Sequence, residues 1–138
     1  MADSVYTVES IEPGLWRIKE GHVYMYLIEG EEASLLVDTG LGGGDLKGLI
    51  QSLTKKPLEV LNTHCHGDHT GGNRQFDWVY LHPSDWAAYE KTPEGGGVDL
   101  ETVEQEDVID LGGIVLEVVH IPGHTPGSVA LLESEKRW

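Results

Sequence analysis

Cysteine is almost missing from this sequence: Cys65 is the only one in 138 residues. An internal disulfide is therefore excluded, and a reducing compartment suits the chain. Basic residues are scarce as well, with nine Lys and Arg against 24 Asp and Glu, for a formal net charge of −15. So acidic a surface repels phosphate backbones, which removes nucleic acid from the expected partners. No apolar run approaches the roughly 20 residues of a bilayer-spanning helix, so no membrane association is expected. The opening Met1-Ala2-Asp3-Ser4-Val5-Tyr6 has neither the basic nor the apolar segment of a secretory signal. The expected location is the cytoplasm, and the expected partner is a small-molecule substrate.

What is present fits one domain with a single core, since 39% of the residues are hydrophobic and 24% charged. Residues 5–9 and 15–19 read as strands parted by Pro13-Gly14, and 23–29 and 33–37 as a hairpin about Gly30-Glu31-Glu32. After Asp38-Thr39-Gly40 comes a glycine-rich loop, Gly42-Gly43-Gly44. Leu46, Leu49, Ile50 and Leu53 then recur at helical spacing and predict an amphipathic helix over 45–54. Further strands are predicted at 58–61, 79–81, 108–111, 114–119 and 128–132, with a helix over 84–91 capped by Ser84. Between Pro93 and Asp107 stand Glu94, Asp99, Glu101, Glu104, Glu106 and Asp107 without a Lys or Arg. That stretch, with Gly95-Gly96-Gly97, reads as a solvated loop. Hairpins followed by strand–helix alternation predict an α/β layered domain.

The chemistry sits in Thr63-His64-Cys65-His66-Gly67-Asp68-His69-Thr70-Gly71-Gly72, directly after a predicted strand. Residues two apart on an extended backbone point the same way, so His64 and His66 can converge on one ion. Gly67 permits a sharp bend that turns Asp68 and His69 toward a second, adjacent position. Imidazoles with a carboxylate and no thiolate suit Zn2+ at about 2.0–2.2 Å, and iron or manganese is compatible with the same donors. Packing explains such a cluster poorly, because buried imidazoles and carboxylates need partners. Asp68 by itself also fits a helix N-cap. Downstream, Pro122-Gly123-His124-Thr125-Pro126-Gly127-Ser128 holds His124 in a stiff turn and offers a third imidazole for the His64/His66 ion. Cys65 alternates away from its neighbours and reads as a packed residue. His82 and His120 read as structural, and His22 as solvent-facing.

In order and spacing, Val37-Asp38-Thr39-Gly40, His64-Cys65-His66-Gly67-Asp68-His69 and the segment from Pro122 to Ser128 resemble the early motifs of the metallo-β-lactamase superfamily. The likeness runs over nearly the whole chain and is closest to the small glyoxalase II-like hydrolases. The resemblance implies an αββα sandwich and a binuclear zinc hydrolase. Such an enzyme cleaves a small ester, thioester, lactone or amide with hydroxide generated at the metal. It also implies roles: His64, His66 and His124 for the first metal, and Asp68 and His69 for the second. Asp68 would in addition act catalytically by orienting the nucleophile, and Asp38 would support a ligand through its free ring nitrogen. An aspartate before Gly40 also suits a plain turn. Iron-dependent sulfur dioxygenases of the same fold keep the same histidine pattern.

The family's complete site further uses an aspartate that bridges both metals and a later histidine. Residues 125–138 contain neither residue type, and Glu133 and Glu135 fall at a predicted hairpin turn. The expectation is that residues 1–138 form the N-terminal part of the domain, one mixed sheet with helices on one face and the C-terminal half absent. Such a piece would self-associate or pair with a complementing C-terminal half, to cover a bare sheet face. A non-catalytic metal-binding half-domain is the alternative to a hydrolase.

Overall fold

Period-two patterning builds the N-terminal meander. In a computed structural model, which describes residues 5–92 and 97–133, β1 (Tyr6–Glu12), β2 (Leu15–Glu20), β3 (Val23–Glu29) and β4 (Ser34–Val37) pair antiparallel in chain order. In β3, Val23, Met25 and Leu27 are buried while Tyr24 and Tyr26 are exposed, as alternation requires. All four residues of β4 are buried, as in a strand covered on both faces. Pairing then turns parallel through β5 (Leu58–Leu61), β6 (Trp78–Leu81) and β7 (Asp99–Thr102), giving seven strands in the order 1-2-3-4-5-6-7. A second, antiparallel sheet holds β8 (Val108–Asp110), β9 (Val115–His120) and β10 (Val129–Leu132), with β9 in the middle.

Helices cover one face of the mixed sheet. In α1 (Leu46–Leu53), Asp45 caps the first turn by accepting Gly48 N–H at 3.0 Å, and Leu46 and Ile50 pack on Ile18, Met25, Leu27, Leu36 and Val60. The four-residue α2 (Gly67–Thr70) carries part of the histidine cluster, and α3 (Trp86–Glu90) buries Tyr89 against Leu81 and Cys65. On the opposite face Leu15, Ile28, Leu35, Val37 and Leu61 meet Ile109, Leu111, Leu116, Val118 and Val129 of the second sheet. The expected mixed sheet with helices on one face is present. Its other face, expected to be bare, is already covered by strands from residues 108–132.

Two local readings change. The acidic stretch contains β7, whose backbone pairs with β6 while its side chains stay largely in solvent. The helix expected over 84–91 begins instead as a 3-10 turn, Pro83–Asp85. His82 caps this turn by accepting Ser84 N–H at 3.1 Å, so Ser84 sits inside it. Pro83 fills the first position, where a missing N–H costs nothing. Gly95, Gly96 and Glu135 lie outside the described residues. No helix among the described residues is long and apolar enough to cross a membrane.

The topology gathers the chemistry in one place. Asp38 follows β4, His64 follows β5 and His82 follows β6, all at the carboxyl ends of parallel strands, where crossovers leave a crevice. His124 lies in the turn between β9 and β10, and Val129 N–H donates to Thr63 C=O at 2.9 Å, joining the two sheets beside that crevice.

Candidate metal centre

The segment after β5 and the turn before β10 bring three imidazoles together. His66 Nδ1 stands 3.1 Å from His124 Nε2, and the His64 ring lies 4.9 Å from that of His66 and 4.8 Å from that of His124, between centroids. Two nitrogens bound to one tetrahedral ion at about 2.0–2.1 Å would stand roughly 3.3 Å apart, close to the spacing found. Asp68 and His69 form a second group with His64, the donor atoms lying within 4.8 Å of one another. His64 is buried, Asp68 and His69 are half-buried, and His66 and His124 are exposed, so the cluster opens to solvent on one side. α2 starts at Gly67, with His66 in the capping position and Asp68 inside the first turn. Among the described residues no side chain caps this turn. These His and Asp clusters are capable of coordinating a divalent metal ion.

Asp38 organises the ring nitrogens. It is buried and adopts φ 68°, a left-handed conformation that aspartate tolerates better than most residues. Its carboxylate accepts Thr63 N–H at 2.8 Å, the Thr63 hydroxyl at 2.8 Å and His69 Nδ1–H at 2.9 Å. A plain turn residue makes no such set. Because the Thr63 hydroxyl gives its one proton to Asp38, it accepts from His64 Nδ1, 3.0 Å away. The network therefore assigns the proton to Nδ1 in both His64 and His69 and leaves each Nε2 lone pair free. His64 Nε2 is buried without a hydrogen-bond partner among the described residues. A cation held there would satisfy that atom, whose burial is otherwise penalised.

The two rings titrate in opposite directions. Burial, then the neighbouring His69, pushes His64 below its ordinary 6.5. The hydrogen bond that His69 donates to Asp38 raises His69 above the same value, against the effect of burial. In the metal-free protein the His69–Asp38 pair contributes stability that is full below about 6.5 and is lost as pH rises through the raised value. His64 acts oppositely, costing stability as pH falls below about 6.5, where the unfolded chain takes up its proton first. Histidine-resolved NMR titration of metal-free protein is expected to place the His69 midpoint above that of His64. The reverse order would refute the assigned network.

Several supporting residues escape a sequence reading. Asn73 Nδ2 donates to Asn62 Oδ1 at 2.7 Å and to Tyr89 Oη at 3.0 Å, while its Oδ1 accepts from Thr39 Oγ1 at 2.7 Å. This buried lattice ties the segment after β4 to that after β5. Buried Glu20 accepts Leu41 N–H at 2.9 Å and Gly43 N–H at 2.8 Å, fixing the glycine-rich loop. Gly71 packs so close that an added Cβ would collide with the Leu41 backbone. Asp85, fully buried, reaches both histidine-bearing segments. The one signal available in advance was acidic residues next to strand ends, which local turn and cap chemistry explains equally well. Cys65 is buried as expected and His22 is exposed, while the rings of His82 and His120 stack 4.0 Å apart.

A mixed sheet facing an antiparallel one, with histidines and carboxylates converging where both end, defines a metal-binding α/β sandwich. The chain belongs to the Metallo-beta-lactamase superfamily, whose signature matches residues 18–138. It is 29% identical to an acyl-coenzyme A thioesterase of Homo sapiens (MBLAC2), an alignment covering 96% of this chain and 63% of the relative. It is 31% identical to a hydroxyacylglutathione hydrolase of Gloeobacter violaceus, covering 82% of this chain and 44% of that one. The metallo-beta-lactamase GOB-18 from Elizabethkingia meningoseptica superposes with a TM-score of 0.75 at 27% identity, over 96% of this chain and 58% of the other. The class B3 di-zinc metallo-beta-lactamase LRA-12 from an Alaskan soil metagenome gives 0.73 at 26%, over 93% and 57%. The chain thus spans from 44% to 63% of the length of these proteins.

Proposed function

We propose that this chain is the metal-binding part of a hydrolase that cleaves small esters, with thioesters as the substrate class. The observation that carries the reading is the convergence of the orphaned His64 Nε2 with His66 Nδ1 and His124 Nε2. A divalent cation, zinc in this reading, supplies Lewis acidity there and brings the pKa of a water toward neutrality. His64, His66 and His124 hold that ion, and Asp68 and His69 hold a second. Asp68 accepts a hydrogen bond from the attacking water and orients it. The exposed His66 and His124 mark the side from which substrate enters. The thioester class draws on two relatives, one named an acyl-coenzyme A thioesterase and one a hydroxyacylglutathione hydrolase.

One observation favours a second reading. Among the described residues the second position has Asp68 and His69 and no further donor once His64 Nε2 serves the first, so the chain would bind metal without turning over substrate. The discriminating experiment adds zinc to the purified chain and follows thiol release from an acyl-coenzyme A and from an acylglutathione. Zinc uptake with thiol release that EDTA abolishes is the expected result. Uptake without release decides for the second reading, and no uptake refutes both.

A further inference from the structure

Asp85 ends the 3-10 turn after β6, is fully buried, and has no part in the chemistry above. Its carboxylate reaches two segments far apart in sequence. Oδ2 accepts Cys65 N–H at 3.1 Å and the Thr125 hydroxyl at 2.6 Å, and Oδ1 accepts Gly127 N–H at 2.8 Å. Cys65 stands between His64 and His66, and Thr125 and Gly127 follow His124. The fit is close, since a Cβ added at Gly127 would stand 2.8 Å from the Asp85 carboxyl carbon. The turn is tied elsewhere too: Thr125 N–H donates to Ser128 Oγ at 3.1 Å, and His120 Nε2–H to Pro126 C=O at 2.8 Å.

We infer that Asp85 is a positioning residue for the candidate metal centre. One buried carboxylate holds the His64–His66 segment and the His124 turn in register, so that their nitrogens converge before any cation arrives. The inference rests on the reading of those histidines as ligands. A carboxylate accepts at both oxygens and donates at neither, which suits a place where three donors point inward. An amide of the same shape cannot serve there. Whichever way it is turned, its NH2 meets the backbone N–H of Cys65 or that of Gly127, and that bond is lost.

The test compares cobalt(II) binding by the parent chain, Asp85→Asn, and Leu116→Ala. Leu116→Ala is a buried change between the two sheets that lowers stability without touching either ligand segment. At a temperature where all three are folded, Asp85→Asn is expected to bind cobalt about 10- to 100-fold more weakly and to alter the visible spectrum of the bound ion. In metal-free Asp85→Asn the Cys65 or the Gly127 amide, whichever faces the NH2, should exchange faster. Leu116→Ala should keep the parent's affinity and spectrum. If Asp85→Asn does not fold, Thr125→Val removes one of the three bonds and should weaken binding several-fold. Parent-like binding by the folded Asp85 or Thr125 variant, or equal weakening by Leu116→Ala, overturns the inference alone. A parent chain that takes up no cobalt overturns the metal reading and this inference with it.

Discussion

Alanine in place of Asp38 is expected to cost the metal-free protein about 3 kcal/mol or more, a large fraction of a small domain's stability. The substitution strands Thr63 N–H, the Thr63 hydroxyl and His69 Nδ1–H together, all bonded to the one carboxylate. It also places alanine in a left-handed conformation that aspartate tolerates better. Metal binding should fall as well, because nothing would then fix the proton of His69 on Nδ1 or, through Thr63, that of His64. Urea denaturation of metal-free protein measures the first effect and zinc titration the second. An Asp38→Ala chain within about 0.5 kcal/mol of the parent, the range of ordinary surface changes, would show that Asp38 is a turn residue after all.

His66→Ala should act in the opposite proportion. His66 is exposed, so its removal leaves metal-free stability within about 0.5 kcal/mol of the parent. Zinc affinity at the first position should drop by more than about 100-fold, since losing a ligand exceeds the 10- to 100-fold typical of losing a ligand's supporting partner. Thiol release from a thioester should fall to the rate given by free zinc. His22→Ala, at another exposed histidine, is the control and should change neither quantity. Zinc content and turnover that survive in His66→Ala would remove the basis for the proposed function.

The strands and α1 were legible in the sequence because alternation and helical spacing are local properties. Residues 23–29 and 58–61 match β3 and β5 end for end, and Asp45 caps α1 where the helix was expected to begin. That His64, His66, Asp68 and His69 lie together was legible for a similar reason, since four residues within six positions carry their proximity in their spacing. β7 was not. Its side chains are those of a solvated loop, and only backbone pairing with β6 makes it a strand. Charge on such an edge is how sheets avoid pairing with other copies. Glu20 and Asp85 were hidden because their partners lie far along the chain, 21 and 23 residues away for Glu20 and up to 42 for Asp85. A buried carboxylate looks like any surface acid until its donors are known.

The two groups of histidines hang from different sheets: His64 and His66 from the end of β5, His124 from the turn between β9 and β10. A cation gripped by all three would act as a rivet through the joint between the layers. Any shear of one sheet over the other would spread the rings and loosen the grip. By reciprocity, filling the rivet hole would resist that shear, so affinity for the ion and resistance to unfolding become one quantity read in two ways.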